Sequence, residues 1–265
     1  QEGKLTGLEA YSAARPPHSE GLAVFIASYL ASQTNCGNIN LLHLSSQKAM
    51  EAALIMQKVF PHVNFRREVT IGHLILDTDS NAGSFAKVNP PIRPRDDVEF
   101  LWKQVLAGNV DWVVSDHACC STAAKVSTEN PDDIWVAKAG FGGTEYLLSA
   151  LFSEGQKRGL TPQCVAKLIS FNPAERFGLG QKGDISVGKD ADFVLFDPDK
   201  RFVVRAEDSF SNQGYTPFEG LELKGQVMST FVRGIKVYHH GKIISKPIGQ
   251  YIRRPQPNPP PKSHL

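Results

Sequence analysis

The sequence predicts an α/β fold in which part of a (β/α) barrel is followed by a small β-domain. Short apolar runs alternate with amphipathic stretches over residues 1–178, and this order of strands and helices builds a parallel sheet. After residues 177–180 (FGLG) the chain changes to short β-branched and aromatic runs punctuated by glycine, which is typical of a small sheet or sandwich. We therefore predict a partial barrel over 1–178, a small β-sandwich domain over 179–252 and a proline-rich, disordered tail over 253–265.

Three apolar runs in the first part are predicted strands, and each is followed by a helical pattern of apolar residues. The predicted strands are 39–44, 63–71 and 110–114, and the predicted helices begin near Glu20, Gln47, Asp96, Gly143 and Thr161. Residues 1–17 are predicted to be a polar lead-in, and the last helix is predicted to end before Asn172-Pro173. Three strands are fewer than half of a closed eight-stranded barrel.

The second part contains short runs that predict the strands of the β-domain. They cover residues 183–185, 191–197, 201–204, 226–232 and 236–238, with a turn at His240-Gly241.

Composition limits the classes of function. A net charge of +2 with 21% charged residues gives no reason to expect a nucleic-acid partner. No apolar run reaches the length of about 18 residues that a membrane span needs, so no membrane partner is expected. Four cysteines without a regular spacing are typical of a reduced compartment, and we expect a cytoplasmic protein. The chain starts without methionine or a signal-peptide pattern, which indicates a piece of a longer protein.

Asp116 is the first candidate for catalytic chemistry, because it follows the buried strand predicted over 110–114. In a (β/α)8 barrel, polar residues at the C-terminal ends of the strands face the active site. The alternative is that Asp116 only caps the next helix or turn. His43 ends another predicted strand, although a single histidine in that position is often structural. An imidazole and a carboxylate on one barrel face together indicate a metal site or acid–base catalysis.

Four motifs occur in order along the chain: 41–46 (LLHLSS), 89–93 (NPPIR), 114–117 (VSDH) and 183–193 (GDISVGKDADF). With them the chain resembles the cyclic amidohydrolases, a family that includes dihydroorotase, allantoinase, hydantoinase and dihydropyrimidinase. The resemblance implies the C-terminal part of a (β/α)8 TIM-type metal-dependent hydrolase barrel with a small β-domain. It further implies zinc-dependent hydrolysis of a small cyclic amide or ureide, and a homo-oligomer, which in the family is a tetramer.

The resemblance also implies a metal site for two zinc ions. In the family they are held by an HxH pair on the first strand, a carboxylated lysine, two further histidines and an aspartate. His43 matches the last of these histidines, and Asp116 matches the aspartate, which ligates one metal and serves as general base. Because the sequence has no HxH motif, the chain as given supplies only these two ligands and is expected to be inactive alone.

Substrate contacts are implied for Asn89, which precedes the Pro-Pro pair, and for Phe141 and Gly142, whose loop gives backbone hydrogen bonds to the ring amide in the family. The alternatives are that Asn89 merely ends a strand and that glycine here only permits tight packing. His117 is expected to support the site rather than bind metal, and His73 is a possible pocket residue.

Substrate choice rests on Cys120, a further possible pocket residue, since dihydroorotases usually carry histidine at this position and the cysteine is more similar to allantoinases. We expect an allantoinase- or hydantoinase-like hydrolase, with dihydroorotase as the alternative. A non-catalytic scaffold subunit of the same family is the alternative from another functional class. The presence of both His43 and Asp116 favours the enzyme, because a scaffold has no chemical need for either side chain.

Overall fold

The structure is a computed structural model that describes residues 5–34 and 36–254. Its first part is built on a three-stranded parallel sheet, in which β2 lies between β1 and β3. The strands are β1 (Asn38–Leu41), β2 (Asn64–Thr70) and β3 (Trp112–Val114). The partial barrel predicted from three βα units is therefore confirmed.

The helices connect these strands and continue to the second part of the chain. In the described residues they are α1 (Gly7–Ala14), α2 (Pro17–Gln33), α3 (Gln47–Val59), α4 (Ile71–Ile75), α5 (Arg95–Leu106), α6 (Thr122–Lys125), α7 (Leu147–Lys157), α8 (Pro162–Ala166) and α9 (Asn172–Arg176). No helix within the described ranges combines the length and the apolar character needed to cross a membrane.

The apolar core of the first part lies between β2 and the helices α3 and α5. Val69 on β2, Met50 and Ala53 on α3, and Leu101 on α5 are completely buried. Burial of a large apolar side chain contributes about 1.5–3 kcal/mol, so this layer holds the strand ends in place.

The predicted polar lead-in over 1–17 contains a helix that the sequence analysis did not predict, because Gly7–Ala14 forms α1. Leu8 and Tyr11 on this helix are only 5% and 2% exposed. Burial against the rest of the chain therefore stabilises a helix that is too short to form from local sequence signals alone.

Proline in the first helical turn explains two further differences from the predicted elements. Helix α2 begins at Pro17, ahead of the predicted start near Glu20, because the missing N–H of proline is not needed there. The helix predicted to end before Asn172-Pro173 instead continues through a π-helical turn at Lys167–Phe171 into α9. Pro173 lies in the first turn of α9, where it is tolerated.

The second part is a four-stranded antiparallel sheet. Its strands are β4 (Phe193–Val203), β5 (Glu222–Val232), β6 (Ile235–His239) and β7 (Lys242–Ile243), in chain order. The strand predicted over 183–185 is wrong, because Gly183 adopts a φ of +83° in a segment of bends. A sandwich needs a second sheet, and the described residues of this part form one sheet.

The predicted tail begins inside the described residues and ends outside them. Arg254 donates from Nε to the carbonyl of Phe177 at 3.1 Å, and its guanidinium lies 5.0 Å from the centroid of the Phe177 ring. Residues 255–265, which carry the rest of the predicted disordered tail, lie outside the described residues.

Gly225 on β5 allows the sheet to pack on α7. Its φ is +96°, and a Cβ added there would lie 2.4 Å from Phe196 Cζ and 2.7 Å from Phe152 Cδ1. We expect Gly225→Ala to lower the free energy of unfolding by about 2–4 kcal/mol, because positive φ and overpacking each cost about 1–3 kcal/mol. Urea unfolding measures the change.

The matched control is Gly234→Ala, since Gly234 also has positive φ (+78°) but its added Cβ would meet no atom closer than 4.0 Å. Equal losses in both variants would contradict the packing role of Gly225.

Candidate active site

Two polar side chains lie just beyond the ends of the outer strands. The half-buried His43 follows β1 with a φ of +40°, and the exposed Asp116 follows β3 with a φ of +50°. Positive φ is uncommon for residues other than glycine, and such strain concentrates at functional sites. Both strands run parallel to β2, so the two residues lie at the same end of the sheet, beyond the C-terminal ends of the strands. Two strand spacings place the ends of β1 and β3 about 10 Å apart.

Glu68 on β2 supports this edge, and sequence reasoning missed it. Its Oε1 accepts the backbone N–H of His43 at 3.2 Å, and its Oε2 accepts the indole N–H of Trp112 at 2.7 Å. One carboxylate of the central strand therefore fixes the backbone of His43 relative to β3. The signal that was available is the run of three charged residues, 66–68, inside a predicted strand.

Arg93 joins the loop after His43 to the loop that carries Asn89. Its side chain is 2% exposed; Nε donates to Ser45 Oγ at 3.0 Å, and Nη2 donates to Glu20 Oε2 at 3.2 Å. Glu20 also accepts the backbone N–H of Ser45 at 2.8 Å. These contacts give the guanidinium a structural role between two loops of the site.

Asn89 is exposed at this edge of the molecule. Its Oδ1 accepts the hydroxyl proton of Tyr11 at 2.8 Å, and its peptide bond to Pro90 is cis. Residues 76–88, directly before Asn89, form no strand, so the side chain does not end one. Helix α1, which sequence reasoning missed, supplies the contact that orients the Asn89 amide.

The loop of Phe141 and Gly142 is bound to other parts of the protein through its backbone. The Phe141 carbonyl accepts the N–H of Ala118 at 3.1 Å, and the Gly142 N–H donates to Gln213 Oε1 at 2.8 Å. A substrate could therefore use the Gly142 N–H only by displacing Gln213. Phe141 is only 4% exposed, and its ring packs edge-on against the ring of Phe218 with the centroids 6.0 Å apart. Sequence reasoning missed Gln213, which is 2% exposed and lies 71 residues further along the chain.

His117 supports the same loop. Its Nδ1 accepts the backbone N–H groups of Gly143 at 3.2 Å and Thr144 at 3.4 Å, so the ring proton lies on Nε2. A side chain on Gly142 would come within 2.7 Å of the His117 ring. The segment after Asp116 is thus joined to the loop of Phe141 and Gly142 by the His117 imidazole and by the Ala118 backbone.

His73 is almost fully buried, with 2% of its surface exposed. Its Nε2 lies 3.0 Å from the carbonyl of Pro90, and its Nδ1 lies 2.8 Å from Thr70 Oγ1. Because a carbonyl can only accept, Nε2 carries the proton and Nδ1 accepts from the threonine hydroxyl. Burial lowers the pKa of His73 to about 4, so the ring is neutral at pH 7. Both nitrogens are engaged within the protein, and the ring holds the chain next to Asn89.

Cys120 is half-buried, with its sulfur 4.0 Å from the hydroxyl oxygen of Tyr215. Burial and the neighbouring thiol raise the pKa of Tyr215, so the phenol remains protonated at neutral pH. Tyr215 belongs to the segment between β4 and β5 that also carries Gln213. That segment therefore contacts the residues after Asp116 at two points.

The candidate metal ligands among the described residues do not make a complete site. His43 and Asp116 supply an imidazole and a carboxylate, both of which are suitable donors for zinc. Among the described residues, no group of three or more histidine, cysteine, aspartate or glutamate side chains is arranged to hold a metal ion. The donor set of the residues that the structure describes is therefore incomplete for zinc.

A family model and curated proteins that match this chain agree on one family. The model for the amidohydrolase family matches residues 61–237. The chain is 39% identical to an allantoinase of Rubrobacter xylanophilus over 94% of this chain and 54% of that protein. It is 37% identical to an allantoinase of Enterococcus faecalis over 90% of this chain and 51% of that protein. The chain thus spans about half the length of the curated relatives it matches.

Solved structures give the same result. The L-hydantoinase (dihydropyrimidinase) of Arthrobacter aurescens superposes with a TM-score of 0.85 at 29% identity, over 91% of this chain and 53% of that chain. The D-hydantoinase (dihydropyrimidinase) of a Thermus species gives a TM-score of 0.83 at 27% identity, over 91% and 53%. The family match covers more than half of the sequence, and these structures share its fold. The chain belongs to the amidohydrolase family.

Proposed function

We propose that the whole protein hydrolyses a C–N bond of a small cyclic amide, and that allantoin is its substrate. The observation that carries the proposal is the position of His43 and Asp116, which lie beyond the two outer strands of one parallel sheet and both have positive φ. Relatives named allantoinase favour allantoin, and structural neighbours named hydantoinase and dihydropyrimidinase favour the wider class of cyclic amides.

Asp116 is the residue that we assign to proton transfer. Its exposed carboxylate accepts a proton from the attacking water while the water oxygen bonds to the ring carbonyl carbon. The ring C–N bond then breaks, and the same carboxyl group returns the proton to the leaving nitrogen. The products are a carboxylic acid and an open-chain amide or urea group. The second proton of the attacking water leaves the carboxylic acid for the solvent, and the aspartate ends the cycle ionised.

We also propose that the complete protein binds two zinc ions and that His43 and Asp116 are the donors contributed by this chain. Bound zinc supplies an activated water at neutral pH and polarises a carbonyl group. Because the donor set of the described residues is incomplete, the remaining donors have to come from outside them. The proposal includes a homotetramer in the cytoplasm; in the described residues the four cysteines are unpaired, which agrees with a reduced compartment.

The test is to isolate the native protein, measure its intact mass and zinc content, and assay it against four cyclic amides. These are allantoin, hydantoin, dihydrouracil and dihydroorotate. We expect a native chain well above 29.1 kDa that opens allantoin faster than the other rings. Preferred turnover of dihydroorotate would select the dihydroorotase alternative. Absence of turnover with all four rings, in a protein loaded with zinc, would select the scaffold alternative.

His43→Asn is expected to lower the zinc content of the native protein, because it removes an imidazole donor. Asparagine tolerates the φ of +40° at this position, so the backbone is preserved. The measurement is zinc per chain by mass spectrometry. His240→Asn is the matched control, since His240 has a similar φ of +44° but lies in the hairpin between β6 and β7. Unchanged zinc content in His43→Asn would remove His43 from the ligand set.

A further inference from the structure

We propose that Lys125 is a positioning residue that sets the spacing of the loops carrying Asp116, Asn89 and Gly142. The proposal rests on the proposed function, because these loops are assigned to proton transfer and substrate binding. Lys125 itself touches neither the reacting groups nor the substrate.

The Lys125 side chain is completely buried, and its ammonium is fully paired with backbone carbonyls. Nζ donates to Lys87 at 2.9 Å, to Lys138 at 2.7 Å and to Gly140 at 2.7 Å. An ammonium has three N–H groups, so donors and acceptors match in number. A buried cation is costly unless its donors are satisfied, which indicates that this junction is held in one geometry.

The three carbonyls that accept hydrogen bonds from the Lys125 ammonium belong to two loops of the site. The Lys87 carbonyl lies just before Asn89 and also accepts the N–H of Gly140 at 2.9 Å. Gly140 has a φ of +102°, and a Cβ there would come within 2.9 Å of Ala118 Cβ and 3.1 Å of its carbonyl oxygen, so the two segments leave no room for a side chain between them. The Ala118 N–H donates to the Phe141 carbonyl at 3.1 Å. A shift of the ammonium would therefore move both loops relative to the segment that follows Asp116.

The protonation of Lys125 suits this role. Burial lowers its pKa to about 8, with the Cys120 thiol opposing the shift and Lys87 adding to it. The ring of Tyr215 lies 5.9 Å from the same Nζ. At pH 7 the Lys125 amine therefore stays protonated and keeps three N–H donors for its three carbonyl partners.

The kinetic test compares Lys125→Met with Lys224→Met in the whole protein. Lys224 lies on β5, where its Nζ pairs with Asp199 Oδ1 at 3.0 Å, away from the loops of the site. We expect Lys125→Met to raise KM and to lower kcat/KM for allantoin by about 10- to 100-fold, the effect of a misplacement near 1 Å. Lys224→Met is expected to leave KM and kcat/KM unchanged. A loss of stability in Lys125→Met with KM and kcat/KM unchanged would overturn the proposal.

Hydrogen exchange separates this proposal from the proposed function. The variant is Lys125→Gln, which keeps a shorter donor in case the methionine variant does not fold. We expect faster exchange at the N–H groups of Ala118, Gly140 and Gly142, with exchange in β4 and β5 unchanged. If no cyclic amide is hydrolysed by the wild-type protein, the proposed function fails and the exchange result alone decides the role of Lys125. Unchanged exchange at the three amides would overturn it.

Discussion

Asp116→Asn is expected to lower kcat for allantoin by about 10²–10⁴-fold, the contribution of a positioned proton acceptor. Asparagine has nearly the same shape as aspartate and also tolerates the φ of +50° found here. The backbone can therefore stay in place while the side chain loses its ability to accept a proton. Steady-state kinetics on the native protein measure the effect, and urea unfolding checks that the fold is kept.

The matched control for this substitution is Asp132→Asn. Asp132 is an exposed carboxylate in the long loop after Cys120, so the same change of charge is made away from the strand ends. We expect its activity to equal that of the wild type. Full activity in Asp116→Asn would remove this residue from the role of base. An equal loss in both variants would point to the net charge of the region instead.

The residues at the strand ends could be predicted because their signals are local. A buried parallel strand is a continuous apolar run. A polar residue directly after it lies at the C-terminal end of the strand, which is where the active site of a barrel is found. His43 and Asp116 follow such runs, and the structure places both beyond parallel strands. The element bounds of α3, Gln47–Val59, could be predicted for the same reason, since its apolar residues recur at helical spacing.

The contacts that hold the site together could not be predicted in this way. Gln213 meets Gly142 across 71 residues of chain, and Lys125 meets Lys87 across 38 residues. Neither residue lies in a periodic pattern that would mark it. A buried lysine is also unexpected from composition, because lysine is almost never fully buried unless it is paired. Such partners become visible only when the loops are brought together by the fold.

The β4 strand shows how a local signal can mislead. Turn residues between 197 and 201 suggest two strands, and the structure forms one strand with a register shift between Asp197 and Arg201. Pro198 is tolerated there because β4 lies at the edge of its sheet. An edge strand leaves some N–H groups unpaired, so the missing donor of proline costs little.

His73 is expected to make the protein less stable as the pH falls from about 6.5 to 4. Burial lowers the pKa of its imidazole from 6.5 to about 4, so the unfolded chain binds a proton in this window that the folded chain does not. The stabilisation is therefore present above pH 6.5 and is lost as the pH falls through the pKa of the folded state. This difference between the pKa values of His73 in the unfolded and folded states corresponds to about 3 kcal/mol of the free energy of unfolding. Urea unfolding at pH 7.5 and pH 4 measures the loss.

The contribution of His73 is isolated by comparing the wild type with His73→Gln, because carboxylates elsewhere also titrate at low pH. Glutamine keeps an amide donor for the Pro90 carbonyl but has no proton to gain. The variant should therefore lose about 3 kcal/mol less than the wild type between the two pH values. His62→Gln is the control, since it makes the same substitution at an exposed histidine. Identical pH dependence in wild type and His73→Gln would mean that the ring is protonated without disturbing the fold. The Thr70 contact, in which Nδ1 accepts, would then not require a neutral imidazole, and the chain beside Asn89 would keep its position in acid.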